Sequence, residues 1–251
     1  LNLPGLQEEG LETIYASGKP VVLVILSGSA LAVTWADEHI PAIIEGWYPG
    51  AQGGRALASV LFGEYSPEGK LPVTFYRTTE ELPAFTDYAM KGRTYRYMTQ
   101  KALYPFGYGL SYTDFELSGV SLSQDTVAKD SEITVKAMLK NTGTMAGAET
   151  VQVYVKSCRE DAPNAQLKAL KKVHLAPGEE KEVALTLSAK SFGLHNENGD
   201  MVLEAGEYLV YVGTQQPDAR SRELTGKQPE CRKVAAAQTE VLEPVCLDSR
   251  G

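Results

Sequence analysis

The chain has 251 residues, 43% of them hydrophobic and 22% charged, which is typical of one large or two ordinary globular domains. Its formal net charge is −8 and it has no basic stripe, so we expect no nucleic-acid partner and no binding to an anionic membrane. No apolar run approaches the roughly 20 residues that a membrane-spanning helix needs.

The cysteine pattern argues against a structural metal. Cys158, Cys231 and Cys246 are widely spaced, and no cysteine or histidine spacing is typical of a zinc site. We therefore predict no metal and no cofactor. A disulfide between Cys231 and Cys246 stays open, although free thiols are favoured if the protein is intracellular.

The first residue is Leu1 rather than Met, and no signal peptide is visible. We interpret the chain as a piece of a longer polypeptide. The N-terminus of this piece then gives no information on localisation, and the cytoplasm is favoured only by default.

The first part of the chain predicts alternating helices and strands. Helices are expected over 3–16, 35–39 and 55–62, and apolar strands over 20–26 and 41–48. A continuous apolar run is typical of a strand buried on both faces. The β-α-β-α order therefore predicts a parallel sheet with right-handed crossovers.

The loops of this part offer few ligand motifs. Residues 27–30 follow the first strand at its carboxyl end, where open α/β sheets bind ligands. The glycine-rich loop 49–54 lacks both Gly-Lys-Ser/Thr and GxGxxG, so it predicts a tight strand-to-helix turn rather than a phosphate site. A short strand over 73–75 and a polar loop over 78–91 are expected next.

Residues 103–115 (LYPFGYGLSYTDF) crowd five aromatic rings around Pro105, Gly107 and Gly109. Proline fixes φ, and glycine permits close backbone approaches that a side chain would forbid. We predict an ordered connector pinned by its rings.

Beyond Glu116 the pattern becomes that of short alternating strands, as in Ile133–Lys140 and Val151–Lys156, which predicts a β-sandwich. We expect one hairpin over 170–187, turning at 176–179, and a second strand pair over 201–212. The last 35 or so residues are polar and predict a surface-hugging or partly mobile tail.

Short motifs occur along most of the chain. In the α/β part and connector they are 3–7 (LPGLQ), 18–22 (GKPVV), 47–54 (WYPGAQGG), 61–63 (LFG), 66–72 (SPEGKLP), 95–97 (YRY) and 104–113 (YPFGYGLSYT). In the sandwich they are 141–143 (NTG), 151–155 (VQVYV), 175–179 (LAPGE) and 205–208 (AGEY). In their identity and order these motifs resemble the C-terminal half of glycoside hydrolase family 3, the β-glucosidase and β-xylosidase family, including its fibronectin type III-like module. The resemblance covers about residues 1–217.

The resemblance implies a retaining glycosidase whose nucleophile is an Asp on an N-terminal barrel and whose acid/base is a Glu just before the LPGxQ helix. Neither residue is expected in this chain, so we assign no catalytic residue to it. Glu8 and Glu9 fall inside the following helix and are interpreted as solvated helix residues.

Other candidate side chains have ordinary explanations. The serines at 27, 29 and 59 lack a G-x-S-x-G elbow, and His39, His174 and His195 are scattered, which predicts structural or exposed roles. Among the aromatic residues that could stack a sugar, we favour a core position for Trp47, leave Trp35 open and keep Tyr48 as a candidate. Arg93 and Arg96 are expected to pair with carboxylates across the domain interface, a structural role that we favour over contact with a substrate.

The combined prediction has an α/β sandwich portion over 1–85, a connector over 86–114, a fibronectin type III-like β-sandwich over 115–217 and a tail over 218–251. One hypothesis is the C-terminal fragment of a β-glycosidase, inactive alone, whose partners are the missing barrel and a β-linked oligosaccharide or aryl glycoside. The alternative is a stand-alone carbohydrate-binding or assembly module. An exposed apolar patch or unpaired sheet edge would favour the fragment, and a homodimer stays open.

Overall fold

The computed structural model describes residues 1–245, so Cys246 and the disulfide considered for it lie outside the described residues. The chain forms two compact units, which we call the first unit, Leu1–Gly109, and the second unit, from Leu110 onward. Among the described residues, no helix is both long and apolar enough to cross a membrane.

The first unit has the predicted β-α-β-α order and a parallel strand pair. Val22 lies opposite Ala42, and Ile25 lies opposite Glu45. A 3₁₀ turn covers Thr79–Glu81. The helices and strands are α1 (Gln7–Tyr15), β1 (Val22–Ile25), α2 (Thr34–His39), β2 (Ala42–Glu45), α3 (Gly53–Leu61) and α4 (Thr94–Tyr97).

The core of the first unit joins distant parts of the sequence. Its buried members come from α1, β1, α2 and the segments around 75 and 103, and they are Leu11, Ile25, Val33, Ala36, Ile40, Phe75 and Leu103. Leu103 is completely buried. The aromatic connector therefore supplies a residue of the hydrophobic core and is not only a cover over it.

The short strand predicted over 73–75 is wrong. Phe75 makes only an isolated antiparallel bridge with Tyr104, in which Phe75 N–H donates to Tyr104 O and Leu103 N–H donates to Phe75 O. The next residue on the partner side is Pro105, which has no N–H to continue a ladder. Backbone pairing resumes only at Leu71, which accepts from Gly107 and donates to Tyr108.

This returning segment ends in a tight backbone contact. A Cβ placed on Gly109 would lie 2.0 Å from the carbonyl oxygen of Gly69, and Lys70 Nζ donates to Gly109 O at 3.0 Å. Position 109 therefore tolerates only glycine without movement of the backbone.

The second unit is the predicted β-sandwich. The strands are β3 (Phe115–Leu122), β4 (Glu132–Asn141), β5 (Gly147–Ser157), β6 (Gln166–Leu175), β7 (Glu180–Ser188), β8 (Leu194–His195), β9 (Met201–Leu203), β10 (Gly206–Gly213), β11 (Glu230–Ala236) and β12 (Glu240–Glu243). The sheets have the strand orders β11-β10-β5-β6, β3-β4-β7 and β12-β9-β8. The unit also contains the helix α5 (Ala219–Thr225) and a 3₁₀ turn at Ala189–Ser191.

The alternation on β4 is confirmed, since Ile133, Val135, Ala137 and Leu139 are all buried. On β5, however, both faces are buried. Tyr154 is completely buried, and its hydroxyl donates to Gln152 Oε1 at 2.6 Å. Gln152 Nε2 in turn donates to Thr214 O, so the segment after β10 satisfies the polar groups on this face of β5.

The two strand pairs predicted over 170–187 and 201–212 are wrong, because in each case the two strands pair with other strands. β6 pairs with β5 and β7 pairs with β4, so the turn over 176–179 crosses from one sheet to the other. Likewise β9 pairs with β8 and β12, whereas β10 pairs with β5 and β11. Short turns occur both in hairpins and between sheets, so turn residues alone do not determine pairing.

The polar segment after residue 217 also differs from the expectation. Asp218 caps α5 by accepting from Ser221 N–H at 2.7 Å, and Gly226 ends that helix with φ 69°. β11 then adds a strand to the four-stranded sheet and buries Val234 and Ala236. The alternate residues Cys231, Lys233 and Ala235 are exposed, and the strand begins with the polar run 230–233, which is why its composition resembles that of a tail.

We expect Gly109→Ala to lower the free energy of unfolding of the first unit by about 3 kcal/mol, because the new methyl group overlaps a backbone oxygen. Gly50→Ala is the matched control, since a Cβ there meets nothing within 4 Å. Both tryptophans, Trp35 and Trp47, lie in the first unit, so urea unfolding followed by tryptophan fluorescence reports on it. Equal midpoints for the two variants would contradict the expectation.

Candidate functional site: the carboxyl ends of the two parallel strands

The carboxyl ends of β1 and β2 lie at the same edge, because the two strands are parallel. Residues 27–29 follow β1, and residues 45–48 include the end of β2 and the turn after it. We call these two segments the strand-end surface. Open α/β sheets bind their ligands at such an edge, so this surface is the candidate site of the first unit.

Glu45 is the carboxylate of this surface. Its Oε1 accepts from the backbone N–H of Trp47 at 2.9 Å. Its Oε2 is buried and has no hydrogen-bond partner among the described residues. Burial raises the pKa of Glu45, and the hydrogen bond from Trp47 only partly opposes this effect. The group braces the turn and is not directed at solvent.

The turn after Glu45 is strained and ends in an exposed ring. Trp47 has φ 51°, an unusual value for a bulky residue, and its ring packs edge-on against Phe75 with centroids 6.2 Å apart. Tyr48 is 81% exposed. Its ring lies over Gly28, where an added Cβ would be 2.6 Å from it. Trp47, for which a core position was favoured, is half-buried and packs against the core of the first unit from its edge, whereas Tyr48 offers a free aromatic face.

The serine hydroxyls considered as candidates, and the glycine-rich loop that follows the strand-end surface, serve the local fold. Ser27 Oγ donates to Ser29 O, and Ser59 Oγ donates to Glu64 Oε2. Gly53 N–H donates to Gly50 O, and an added Cβ on Gly53 would lie 2.4 Å from Pro49. Residues 49–54 thus form a tight turn before α3.

A second aromatic group joins α1 and α2. The rings of Trp35 and His39 stack with centroids 4.4 Å apart, and the ring of Tyr15 contacts both edge-on. His39 Nδ1 hydrogen-bonds to Trp35 O at 2.8 Å. One face of the half-buried Trp35 is therefore occupied by a neighbour. His174 and His195, like His39, are exposed.

The two arginines behave differently from the expectation. Within the described residues Arg93 makes no carboxylate pair, and instead donates to the carbonyl oxygens of Ala84, Asp87 and Ala89. The guanidinium of Arg96 lies 6.0 Å from the ring centroid of its neighbour Tyr95. Arg93 therefore holds its own loop together.

The remaining acidic candidates are not gathered into a site. Glu8 and Glu9 lie in the first turn of α1, where carboxylates stabilise a helix N-terminus. No group of three or more His, Cys, Asp or Glu in the part of the chain that the structure describes is arranged to hold a metal. Glu45 was not among the predicted site residues, although a charge at the end of the apolar run 41–44 is a signal that marks it in the sequence.

Comparison with known proteins identifies both parts of the chain. Residues 1–112 match the glycosyl hydrolase family 3 C-terminal domain, and residues 149–216 match the fibronectin type III-like domain. The chain therefore belongs to glycoside hydrolase family 3, where it corresponds to the C-terminal part.

The similar proteins are much longer than this chain. A xylan 1,4-β-xylosidase of Xylanibacter ruminicola is 40% identical over 90% of this chain and 26% of its own length. A periplasmic β-glucosidase of Salmonella typhimurium is 36% identical over 85% of this chain and 30% of its own length. The structure of a variant β-glucosidase of Listeria innocua in complex with laminaribiose superposes with a TM-score of 0.78 at 31% identity, covering 94% of this chain and 33% of that one. The chain thus spans about a third or less of these relatives.

We expect Glu45→Gln to become more stable relative to wild type as the pH rises. Because the pKa of Glu45 is raised in the folded state, the folded protein holds the proton more tightly than the unfolded chain does. Wild type therefore loses stability as the pH rises from the ordinary range of a glutamate through the raised pKa, and glutamine does not. Urea unfolding of both proteins at about pH 4 and about pH 7.5 measures this difference, and a pH-independent difference would contradict the expectation.

Proposed function

We propose that this chain is the C-terminal portion of a retaining β-glucosidase or β-xylosidase that removes terminal non-reducing β-linked sugars. The observation that carries the proposal is similarity of 36–40% identity, over at least 85% of this chain, to enzymes with those two names. The substrate of the whole enzyme would be a β-linked oligosaccharide or an aryl glycoside.

Retaining hydrolysis requires a nucleophilic carboxylate and an acid/base carboxylate about 5 Å apart, on opposite sides of the scissile bond. We propose that both lie in a preceding barrel and its following loop, outside these residues, and that no residue of this chain acts as either. The position of Glu8 and Glu9 in the first turn of α1 supports this, because that turn gives them a structural role. The chain alone is then inactive.

Uncovered apolar surface on the first unit supports the hypothesis that the chain is a fragment of a glycosidase over the hypothesis that it is a stand-alone module. Its sheet has only two strands among the described residues, which leaves both outer edges open. Leu6 and Phe62 are 73% and 83% exposed, and Leu26 and Ile14 are each 57% exposed. Exposed apolar side chains and open strand edges are typical of surfaces that another domain covers, and we assign this one to the barrel. A carbohydrate-binding module has no need of such a surface.

Hydrolysis of aryl β-glucoside and aryl β-xyloside tests the proposal. We expect no turnover by this chain alone, and turnover when it is produced together with the upstream segment. Hydrolysis that depends on two positioned carboxylates is lost when both are absent. The rate of the joined protein should therefore exceed that of the chain alone by more than about a thousandfold.

Two results would contradict the proposal in different ways. Turnover by the isolated chain, abolished by Glu8→Gln or Glu9→Gln, would show that the carboxylates lie here. Inactivity of the joined protein towards both substrates, with the protein folded, would show that the glycosidase assignment is wrong.

A further inference from the structure

One edge of the parallel pair is formed by backbone groups of β1 that point away from β2. Gly46 N–H donates to Ile25 O at 2.8 Å, so Ile25 directs its backbone groups towards β2. In a parallel strand, both backbone groups of a residue point to the same side, and the side alternates from one residue to the next. The N–H and C=O groups of Val22 and Val24 therefore point away from β2. We call these groups the β1 edge.

The opposite edge belongs to β2. By the same alternation, it consists of the backbone groups of Ile43 and Glu45, which we call the β2 edge. Both edges are open among the described residues, because the sheet has only these two strands. The strand β1 reads VLVI, and such apolar strands are typical of the interior of a parallel sheet rather than of its margin. A further strand is therefore expected beside β1.

The helices α1 and α2 pack on the same face of this sheet. Leu11 of α1 and Ala36 of α2 are buried in one core together with Ile25 of β1. The ring of Tyr15, at the end of α1, also contacts the ring of Trp35 in α2, with centroids 5.7 Å apart. The helix before β1 and the helix after it thus share one layer.

This shared layer determines where a strand that leads into α1 must lie. Crossovers between parallel strands are right-handed in nearly all proteins. Two successive right-handed crossovers place their helices on the same face only when the chain continues in one direction across the sheet. Because β2 lies on one side of β1, the strand before α1 lies on the other side, at the β1 edge. A strand at the β2 edge would need a left-handed crossover through α1.

The first residues of the chain lie where such a strand would deliver them. Asn2 forms a parallel bridge with Ala32, and Ala32 N–H donates to Leu1 O at 2.9 Å. Ala32 belongs to the segment that leaves the carboxyl end of β1, and α1 begins shortly afterwards, at Gln7. Polypeptide before Leu1 therefore enters this unit at the carboxyl end of the sheet, running in the direction of the segment beside it.

We propose that the β1 edge binds a further parallel strand, formed by the polypeptide that directly precedes Leu1 in the whole enzyme. The inference deepens the proposed function and rests on it, since that function places more polypeptide before this chain. The partner is an extended segment that is apolar on both faces, as β1 is. The barrel then covers the apolar side chains of the first unit that this strand leaves exposed.

Hydrogen–deuterium exchange, read by mass spectrometry with fragmentation to single residues, tests the inference on this chain alone and on the chain joined to its upstream segment. We expect the amides of Val22 and Val24 to exchange about a hundredfold more slowly in the joined protein, because amides paired within a sheet exchange only when it opens. The amides of Ile43 and Glu45 should change little. Protection that is absent from the β1 edge, or larger at the β2 edge, would overturn the inference.

The variant Val24→Pro tests strand pairing directly. Proline removes the N–H that points to the β1 edge and keeps the groups that pair with β2, and edge strands tolerate proline at such a position. When this chain and the upstream segment are produced as two polypeptides, the variant should retain at least about tenfold less of the upstream polypeptide on affinity purification. Ile43→Pro is the matched control, since it removes an equivalent N–H from the β2 edge, and it should assemble like wild type. Equal recovery with the two variants would overturn the inference.

Two further comparisons keep the result unambiguous. Urea unfolding of each isolated variant, followed by tryptophan fluorescence, shows whether it is folded, and the exchange measurement decides the inference if a variant is not. Both tests report assembly rather than hydrolysis. A joined protein with a protected β1 edge but no turnover contradicts the proposed function and leaves the inference intact. An active joined protein with an unprotected β1 edge overturns the inference alone.

Discussion

The first unit depends on a backbone contact that leaves no room for a side chain. The connector returns along residues 71–75 and ends with Gly109 against the carbonyl of Gly69. Along this path it delivers Leu103 to the core that also contains Leu11 and Ile25. A two-stranded sheet is only marginally stable by itself, so the packing of this distant segment supplies much of the stabilisation that the sheet lacks. The stacked rings of Tyr104 and Tyr108 add contacts along the same path.

The second unit has a comparable constraint in a buried amide. Asn141 is completely buried, and its side chain accepts from Thr113 Oγ1 and Gly143 N–H while it donates to Met145 O and Leu175 O. A fully satisfied buried amide specifies one arrangement of the chain, since any other would leave polar atoms unpaired. Here it joins the end of β4 to the end of β6, where the chain passes from one sheet to the other.

Two surfaces of the first unit have exposed rings that extend from backbone held by side-chain hydrogen bonds. Tyr48 extends from a strained turn braced by Glu45, and Phe85 and Tyr88 extend from a loop braced by Arg93. Neither surface gathers reactive side chains. This agrees with the proposal that the hydrolytic groups lie outside this chain.

Local pattern in the sequence was enough to determine the parallel α/β order, the sandwich class and the family, because periodicity and short motifs are properties of neighbouring residues. Tertiary structure alone decided the pairing of β6 with β5 and of β10 with β11, since the same turn residues serve a hairpin or a passage between sheets. It also decided that the polar segment 230–236 is a strand and that Arg93 binds carbonyl groups. These outcomes depend on partners far away in the chain, which no local pattern specifies.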